Sequence, residues 1–292
     1  MNATEITDSD FQKFREFFYG KTGIHFEKSK RYFVDKRLVE RIERTGSGDF
    51  RRYLMKLRFD TSGEELQSLT NLMTVNETYF FREEYQFKCL VNSILPEIVS
   101  RKRNHRAIRI WVIPSSSGEE AYSIALYLLE YWAGIADWDI EIISSDIDTK
   151  VLEQARLGLY SQRSVQNLPQ AILRKYFRCS SAGYQISAEL LDAVEFTRVN
   201  LSNPIETRNY REFDVIFCRN LLIYFDDTSR AAAAQRFYEA LNPGGYICLG
   251  HSESMSRVSS LYAVRKFPEA IVYQKPIEVK GVSLDDLAES AA

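Results

Sequence analysis

Apolar positions in the first hundred residues recur at helical spacing. Phe11, Phe14, Phe17 and Phe18 fall three and four apart, which predicts an amphipathic helix that Gly23 breaks. The next stretch, 28–44 (KSKRYFVDKRLVERIER), carries Val34, Leu38 and Ile42 as a stripe at i, i+4 and i+8. Lys30, Arg37, Arg41 and Arg44 fall on another face of the same helix, and the segment holds seven basic residues against three acidic ones. Helices are predicted around 49–58 and 63–73. A further one over about 84–102 runs into the basic sequence RKRNHR, which reads as a linker.

From residue 108 the period changes. IRIWVI (108–113) is a short bounded apolar run, as expected of a strand buried on both faces. A helix is predicted over 119–132, a second strand over 139–146 (DIEIISSD), and a helix over 148–157 closed by Gly158. Later come FDVIFC (213–218), the helix TSRAAAAQRFYEAL (228–241), the turn NPGG, and the strands YICLG (246–250) and AIVYQ (270–274). Alternating β and α units of this length predict a mostly parallel, doubly wound sheet. KYF (175–177), YQIS (184–187) and VEFTRV (194–199) are short strand-like pieces, expected to form a small β excursion on that sheet. The segment from about 277 to 292 is polar and acidic and is expected to be disordered.

Composition excludes several classes. Among 292 residues, 45% are hydrophobic and 27% charged, and no apolar run approaches the ~18 residues of a membrane span. The polar start MNATEITDSD does not read as a signal peptide. Cys89, Cys179, Cys218 and Cys248 form no CxxC pair, which argues against a disulfide framework or zinc site and for a reducing compartment. His25, His105 and His251 are too dispersed to suggest a metal centre. A net charge of −2 does not point to general nucleic-acid binding.

In an open α/β sheet the ligand lies beyond the carboxyl ends of the strands, near the topological switch. After the first strand comes Pro114-Ser115-Ser116-Ser117-Gly118-Glu119-Glu120, where small residues admit a ligand and a helix N-terminus offers free N–H groups. After the second comes Asp146, an acid where a ribose diol needs an acceptor. This pairing fits nicotinamide enzymes and methyltransferases equally, although the loop lacks GxGxxG; an ordinary strand-to-helix turn with an acidic first helical turn fits as well. After the fourth strand, Cys218-Arg219-Asn220 leads into an apolar run with an isolated Tyr224. The third distinctive stretch, 71–83, packs Asn76, Thr78 and Arg82 around Tyr79, Phe80 and Phe81. Either could be structural alone: a buried strand end, and an inter-helix loop.

Taken together, these stretches resemble the chemotaxis-receptor methyltransferase (CheR) family over residues 8–275. The pieces that carry the resemblance are NETYFFRE (76–83), SSGEEAYSIA (116–125), SDIDTKVLEQARLGLY (145–160), FCRNLLIYFD (217–226) and PGGYICLGHSES (243–254), in this order. The resemblance implies an α/β fold: a Rossmann-like class I methyltransferase sheet of order 3-2-1-4-5-7-6, an N-terminal all-helical domain and a small inserted antiparallel β-subdomain. The implied boundaries are a receptor-docking domain at 1–88, a linker helix at 89–106 and a cofactor-binding domain at 107–276, with the β-subdomain at about 176–199. It implies transfer of a methyl group from S-adenosylmethionine to receptor glutamates, leaving S-adenosylhomocysteine, with no metal. Asn76, Thr78 and Arg82 match the motif that closes over the cofactor. Glu120 and Asp146 match the acids on its amino-acid portion and ribose, Asn200 and Leu201 the pair near its adenine, and Arg219, Asn220 and Tyr224 the segment lining the transfer site. Arg82 and Tyr224 match the residues most tied to catalysis.

Further expectations follow from that resemblance. Chemoreceptor bundles are acidic near their methylation sites, so Lys30, Arg37, Arg41 and Arg44 would dock them electrostatically. The loop RCSSAG between KYF and YQIS is short, as in relatives that do not bind a receptor's C-terminal pentapeptide tether, which predicts docking without it. A cytoplasmic monomer is expected. Val112, Ile113 and Pro114 replace small residues of the family's glycine loop, which predicts weakened cofactor binding; a non-catalytic receptor- or ligand-binding relative is the alternative. A methyltransferase acting on RNA or a small metabolite is a further rival, but the catalytic half lacks a basic cleft face.

Overall fold

The computed structural model describes residues 5–102 and 107–277. The end of the expected linker at 103–106, and the expected tail beyond Ile277, lie outside the described residues.

Four helices form the N-terminal domain: α1 (Asp8–Thr22), α2 (Arg31–Thr45), α3 (Phe50–Phe59) and α4 (Glu64–Met73). Thr7 and Asp10 cap α1 reciprocally, side chain to backbone, and Gly23 ends it in the left-handed region at φ 72°. Val34, Leu38 and Ile42 are the buried face of α2 and meet Phe14, Phe18, Tyr53, Leu57 and Leu69 in one apolar core. The single helix expected over 84–102 is α5 (Tyr85–Cys89), a π turn (Leu90–Ile94) and α6 (Leu95–Arg101) in succession. Pro96 cannot donate to the carbonyl four residues back, and the wider turn lies directly before it.

The second domain is built on β1 (Ile108–Val112), β2 (Ile140–Asp146), β6 (Val194–Arg198), β7 (Phe213–Cys218), β8 (Leu241–Leu249), β9 (Ala263–Lys266) and β10 (Ile271–Gln274). They lie in the order β6-β2-β1-β7-β8-β10-β9; numbered among themselves, that is 3-2-1-4-5-7-6, as expected. Pairings from β6 across to β8 are parallel, and β10 runs antiparallel to both its neighbours. β7 is buried at every position, consistent with its unbroken apolar run. The long helices over the sheet are α7 (Glu119–Tyr131), α8 (Thr149–Leu157) and α9 (Asp227–Ala240). Among the described residues no helix is long and apolar enough to cross a membrane.

The small antiparallel sheet exists with a different membership from that expected. Its strands are β3 (Leu159–Tyr160), β5 (Gly183–Ile186) and β4 (Phe177–Ser180), in the order β3-β5-β4. Residues 194–199 do not belong to it: β6 pairs with β2 from Ile142↔Val194 to Asp146↔Arg198. The alternation of Val194 and Phe196 with polar neighbours suits a hairpin or a sheet edge equally, and only the long-range pairing decides. Leu159 and Tyr160, directly after the Gly158 helix end, supply the third strand instead.

Candidate active site

β1 and β7 are neighbours while their following helices pass to opposite sides, so a crevice opens at their carboxyl ends. A cavity of about 780 Å³ lies there, between the sheet and the N-terminal domain. It is lined by Asn76, Thr78, Arg82, Glu120, Asp146, Arg219, Asn220 and Tyr224, and on the helical-domain side by His25, Lys30 and Phe33.

The β1–α7 loop is drawn tightly over the β2 end. Ser115 N donates to Ser145 O at 2.7 Å and Ser116 N to Asp146 Oδ2 at 2.8 Å. Ser116 sits at φ 48° and Gly118 at φ 92°, where a Cβ would come within 2.9 Å of Ala155 Cβ; only glycine suits position 118. Val112 and Ile113 do not crowd the cavity. Both are buried in the apolar clusters on either side of the sheet, and Pro114 alone of the three lines the cavity. Asp146 also accepts from Asp148 N at 2.9 Å, and burial pushes its carboxyl up to about 6 against those backbone donors. Asp148, which the sequence reading passed over, accepts from Thr74 Oγ1 (2.6 Å) and Asn76 Nδ2 (2.9 Å). Asn76 therefore lines the cavity while its amide pins the incoming chain to the β2 loop.

Arg219 lies at the centre of a buried charge cluster. It is 3.2 Å from Glu83 and 3.2 Å from Glu120, with its own side chain 1% exposed. Its Nη2 donates to the carbonyl oxygen of Arg82 at 2.7 Å. Burial pushes the Glu120 carboxyl up, and Arg219 only partly opposes it. Burial acts the same way on Glu83, but Arg219 and the adjacent His251 outweigh it and hold Glu83 below its ordinary value. Phe81 (φ 57°) and Glu83 (φ 54°) both occupy the left-handed region, one on each side of Arg82, at a cost of order 1–3 kcal/mol each. Phe81 N donates to Ser123 Oγ and Arg82 Nη1 to Glu77 O, so packing and hydrogen bonds hold this turn.

The loop after β7 turns at Asn220 (φ 59°), continues through a 3₁₀ turn (Leu222–Tyr224) and enters α9. The helical domain touches it directly: His25 N donates to Tyr224 O at 2.9 Å, Ile24 forms a β-bridge with Phe225, and Tyr19 Oη donates to Asp226 Oδ1 at 3.0 Å. Burial raises the Tyr224 hydroxyl above its ordinary value, so it stays protonated at neutral pH and can donate a hydrogen bond.

Asn200 and Leu201 are not brought to the cavity. Asn200 Nδ2 donates to Lys21 O at 2.7 Å and so fastens the end of α1 beside the sheet, while Leu201 is buried with Phe213 and Phe225. The basic stripe of α2 is also not a free docking face. Arg41 makes a two-pronged bond to Glu65 (2.9 and 2.6 Å), which Tyr53 also donates to, and Arg37 donates to Leu72 O and Phe33 O. Both positions flank the Val34–Leu38–Ile42 stripe and so face α4 across the core edge. Lys30 and Arg44 stay exposed, Arg44 beside Glu40 on its own helix.

The donor set suits S-adenosylmethionine. A buried carboxylate stands at the β2 end, Ser115 Oγ lines the cavity buried and unpartnered, and one Glu120 oxygen has Arg219 near it but no aligned hydrogen bond. Residues 9–74 match the CheR methyltransferase all-alpha domain, and residues 76–271 the CheR methyltransferase SAM-binding domain. The chain belongs to the CheR methyltransferase family. This CheR chain is 56% identical over 277 residues to "Chemotaxis protein methyltransferase 2" of Vibrio cholerae serotype O1, covering 94% of this chain and 96% of the relative. It is 35% identical over 267 residues to the "Chemotaxis protein methyltransferase" of Salmonella typhimurium, covering 89% and 88%. The Escherichia coli protein of the same name is 34% identical over 267 residues, covering 89% of each.

Proposed function

We propose that this chain transfers the methyl group of S-adenosylmethionine to glutamate side chains of chemoreceptor cytoplasmic domains, forming carboxyl methyl esters. The observation that carries the reading is one cavity in which Asp146 and Glu120 face Arg82 and Tyr224.

Asp146 is the group to accept the ribose hydroxyls, and Glu120 with Ser115 the group to receive the amino-acid portion. The bound cofactor supplies an electrophilic methyl on a sulfonium centre. A substrate glutamate has an ordinary pKa of about 4.3 and is already an anion at neutral pH, so no general base is required. The chain's task is to hold that carboxylate in line. Arg82 orients and partly neutralises it, and the protonated Tyr224 hydroxyl donates to it. Such positioning can supply roughly 7–11 kcal/mol of the barrier.

The reading extends to partners. Lys30, at the cavity, and Arg44 are the exposed cations of the stripe that can meet an acidic receptor bundle. β4 and β5 are joined through Ser181 and Ala182 alone, and the receptor docks directly without a tether peptide. The protein acts in the cytoplasm, as a monomer and without a metal. Calorimetric titration with S-adenosylhomocysteine tests the site: binding to wild type that Asp146→Ala abolishes is expected. No binding to wild type removes the reading.

A further inference from the structure

A half-buried carboxylate stands outside the cavity lining yet organises one wall of the cavity. Glu253, four residues past the end of β8, points back at the ends of β7 and β8. Its Oε2 accepts from Asn220 N at 2.8 Å and Gly250 N at 2.9 Å, and its Oε1 accepts from Leu222 N at 2.8 Å. Three backbone N–H groups from two loops thus converge on one side chain. Asn220, Leu221, Ile223 and Tyr224 line the cavity, and Glu253 does not.

We propose that Glu253 is a positioning residue for methyl transfer: its carboxylate clamps the backbone of the Asn220–Tyr224 loop and so places Tyr224 against the substrate. The inference rests on the function proposed above and adds a residue to it. The geometry selects a carboxylate. Only an acceptor-only group satisfies three donors without turning an N–H of its own toward one of them. Burial pushes the Glu253 carboxyl up while the N–H groups of Asn220, Gly250 and Leu222 oppose the rise. Asn220 sits at φ 59°, in the left-handed region, and its own N–H is one of the groups that Glu253 holds. The far side of the loop is fixed independently, since His25 N donates to Tyr224 O and Arg230 Nε to Leu222 O, so loss of Glu253 loosens the loop without releasing it. Gly250 belongs to the same device. A Cβ there would lie 2.9 Å from Glu253 Oε2 and 3.0 Å from Asn220 Nδ2.

Glu253→Gln keeps the size and leaves at least one of the three N–H groups facing an amide NH₂. With a receptor cytoplasmic fragment, kcat is expected to fall about tenfold or more, while KM and the Kd for S-adenosylhomocysteine stay within roughly threefold. In the cycle with Tyr224→Phe, the double variant is expected within about threefold of the worse single one, because the two act as a unit. A kcat within about twofold of wild type, a cofactor affinity that falls in step with kcat, or multiplying losses in the cycle would each overturn the assignment. Should Glu253→Gln fail to fold, Gly250→Ala, which displaces the carboxylate by contact, is expected to show the same kcat-only loss; an unchanged kcat there also overturns it. Wild type that binds no S-adenosylhomocysteine would instead sink the underlying function.

Discussion

Arg219 donates to the carbonyl oxygen of Arg82 across 137 positions of sequence, at 2.7 Å. The arginine at a strand end thus holds in place the backbone of the arginine that lines the cavity. It does so from between two carboxylates, Glu83 and Glu120, which leaves its charge compensated and its hydrogen bonds directed.

Arg219→Met keeps much of the volume and leaves two acids buried without their cation. Breaking a buried pair from one side costs about 3–5 kcal/mol, which for a chain of this size lowers Tm by roughly 10 °C. The pH dependence has a definite sign. In wild type Glu83 is depressed, so its stabilisation is present at neutral pH and lost as pH falls through its folded value. In the variant burial acts on Glu120 without its cation and on Glu83 against His251 and Tyr85 alone, so both acids rise and their cost is relieved as pH falls. The gap in Tm between the two proteins should therefore be widest near pH 7 and narrow toward about pH 4. Thermal melts across that range check it.

Asp146 is held up to about 6 by burial, and in the proposed function its ionised form accepts the ribose hydroxyls. Cofactor affinity is expected to be flat above that value and to fall about tenfold per pH unit below it. Asp146→Asn should weaken binding by roughly 10- to 100-fold, the scale of hydrogen bonds to a charged group, and remove the pH dependence. Calorimetry at a series of pH values reads both.

Charge reversal separates docking from folding on α2. Lys30→Glu and Arg44→Glu, at exposed positions, should weaken receptor association at low salt and change stability by less than about 0.5 kcal/mol. Arg41→Glu should destabilise the chain by about 3–5 kcal/mol instead, because it opposes Glu65 at the edge of the core. Denaturant titration beside a salt series of binding measurements distinguishes them.

Gly23 leaves no room for a side chain where α1 ends against the second domain. An alanine Cβ would fall 2.0 Å from Ser202 Oγ, at a φ of +72°. Gly23→Ala should cost about 2 kcal/mol or more, from left-handed strain plus the displaced hydroxyl that now donates to Thr22 O. Ser202→Ala in the same chain should recover only the part due to collision. Equilibrium unfolding of the three variants measures the split.

What the sequence made legible follows range. The Val34–Leu38–Ile42 stripe, the buried run of β7 and the strand-end position of Asp146 are local patterns with a fixed period or place, and all three appear as read. The membership of β6 depended on pairing with β2, some fifty residues earlier, and alternation alone could not decide it. Arg37 and Arg41 read as a solvent-facing stripe because helical spacing cannot show that α4 packs beside them. Asn200 and Leu201 were expected at the cavity; instead Asn200 bonds Lys21 at the end of α1 and Leu201 packs in the apolar cluster of the sheet, contacts that spacing does not show. Glu253 lay in a stretch already singled out, but its task became visible only when three backbone donors from separate loops met at it.

Carboxyl methylation leaves its signature in the product. Wild type is incubated with methyl-labelled S-adenosylmethionine and a receptor cytoplasmic fragment, with its methylation-site glutamates intact or replaced by alanine. Label on the intact fragment alone, released by mild alkali as an ester is, is the predicted result; label that survives alkali, or appears equally on the alanine fragment, would contradict the account.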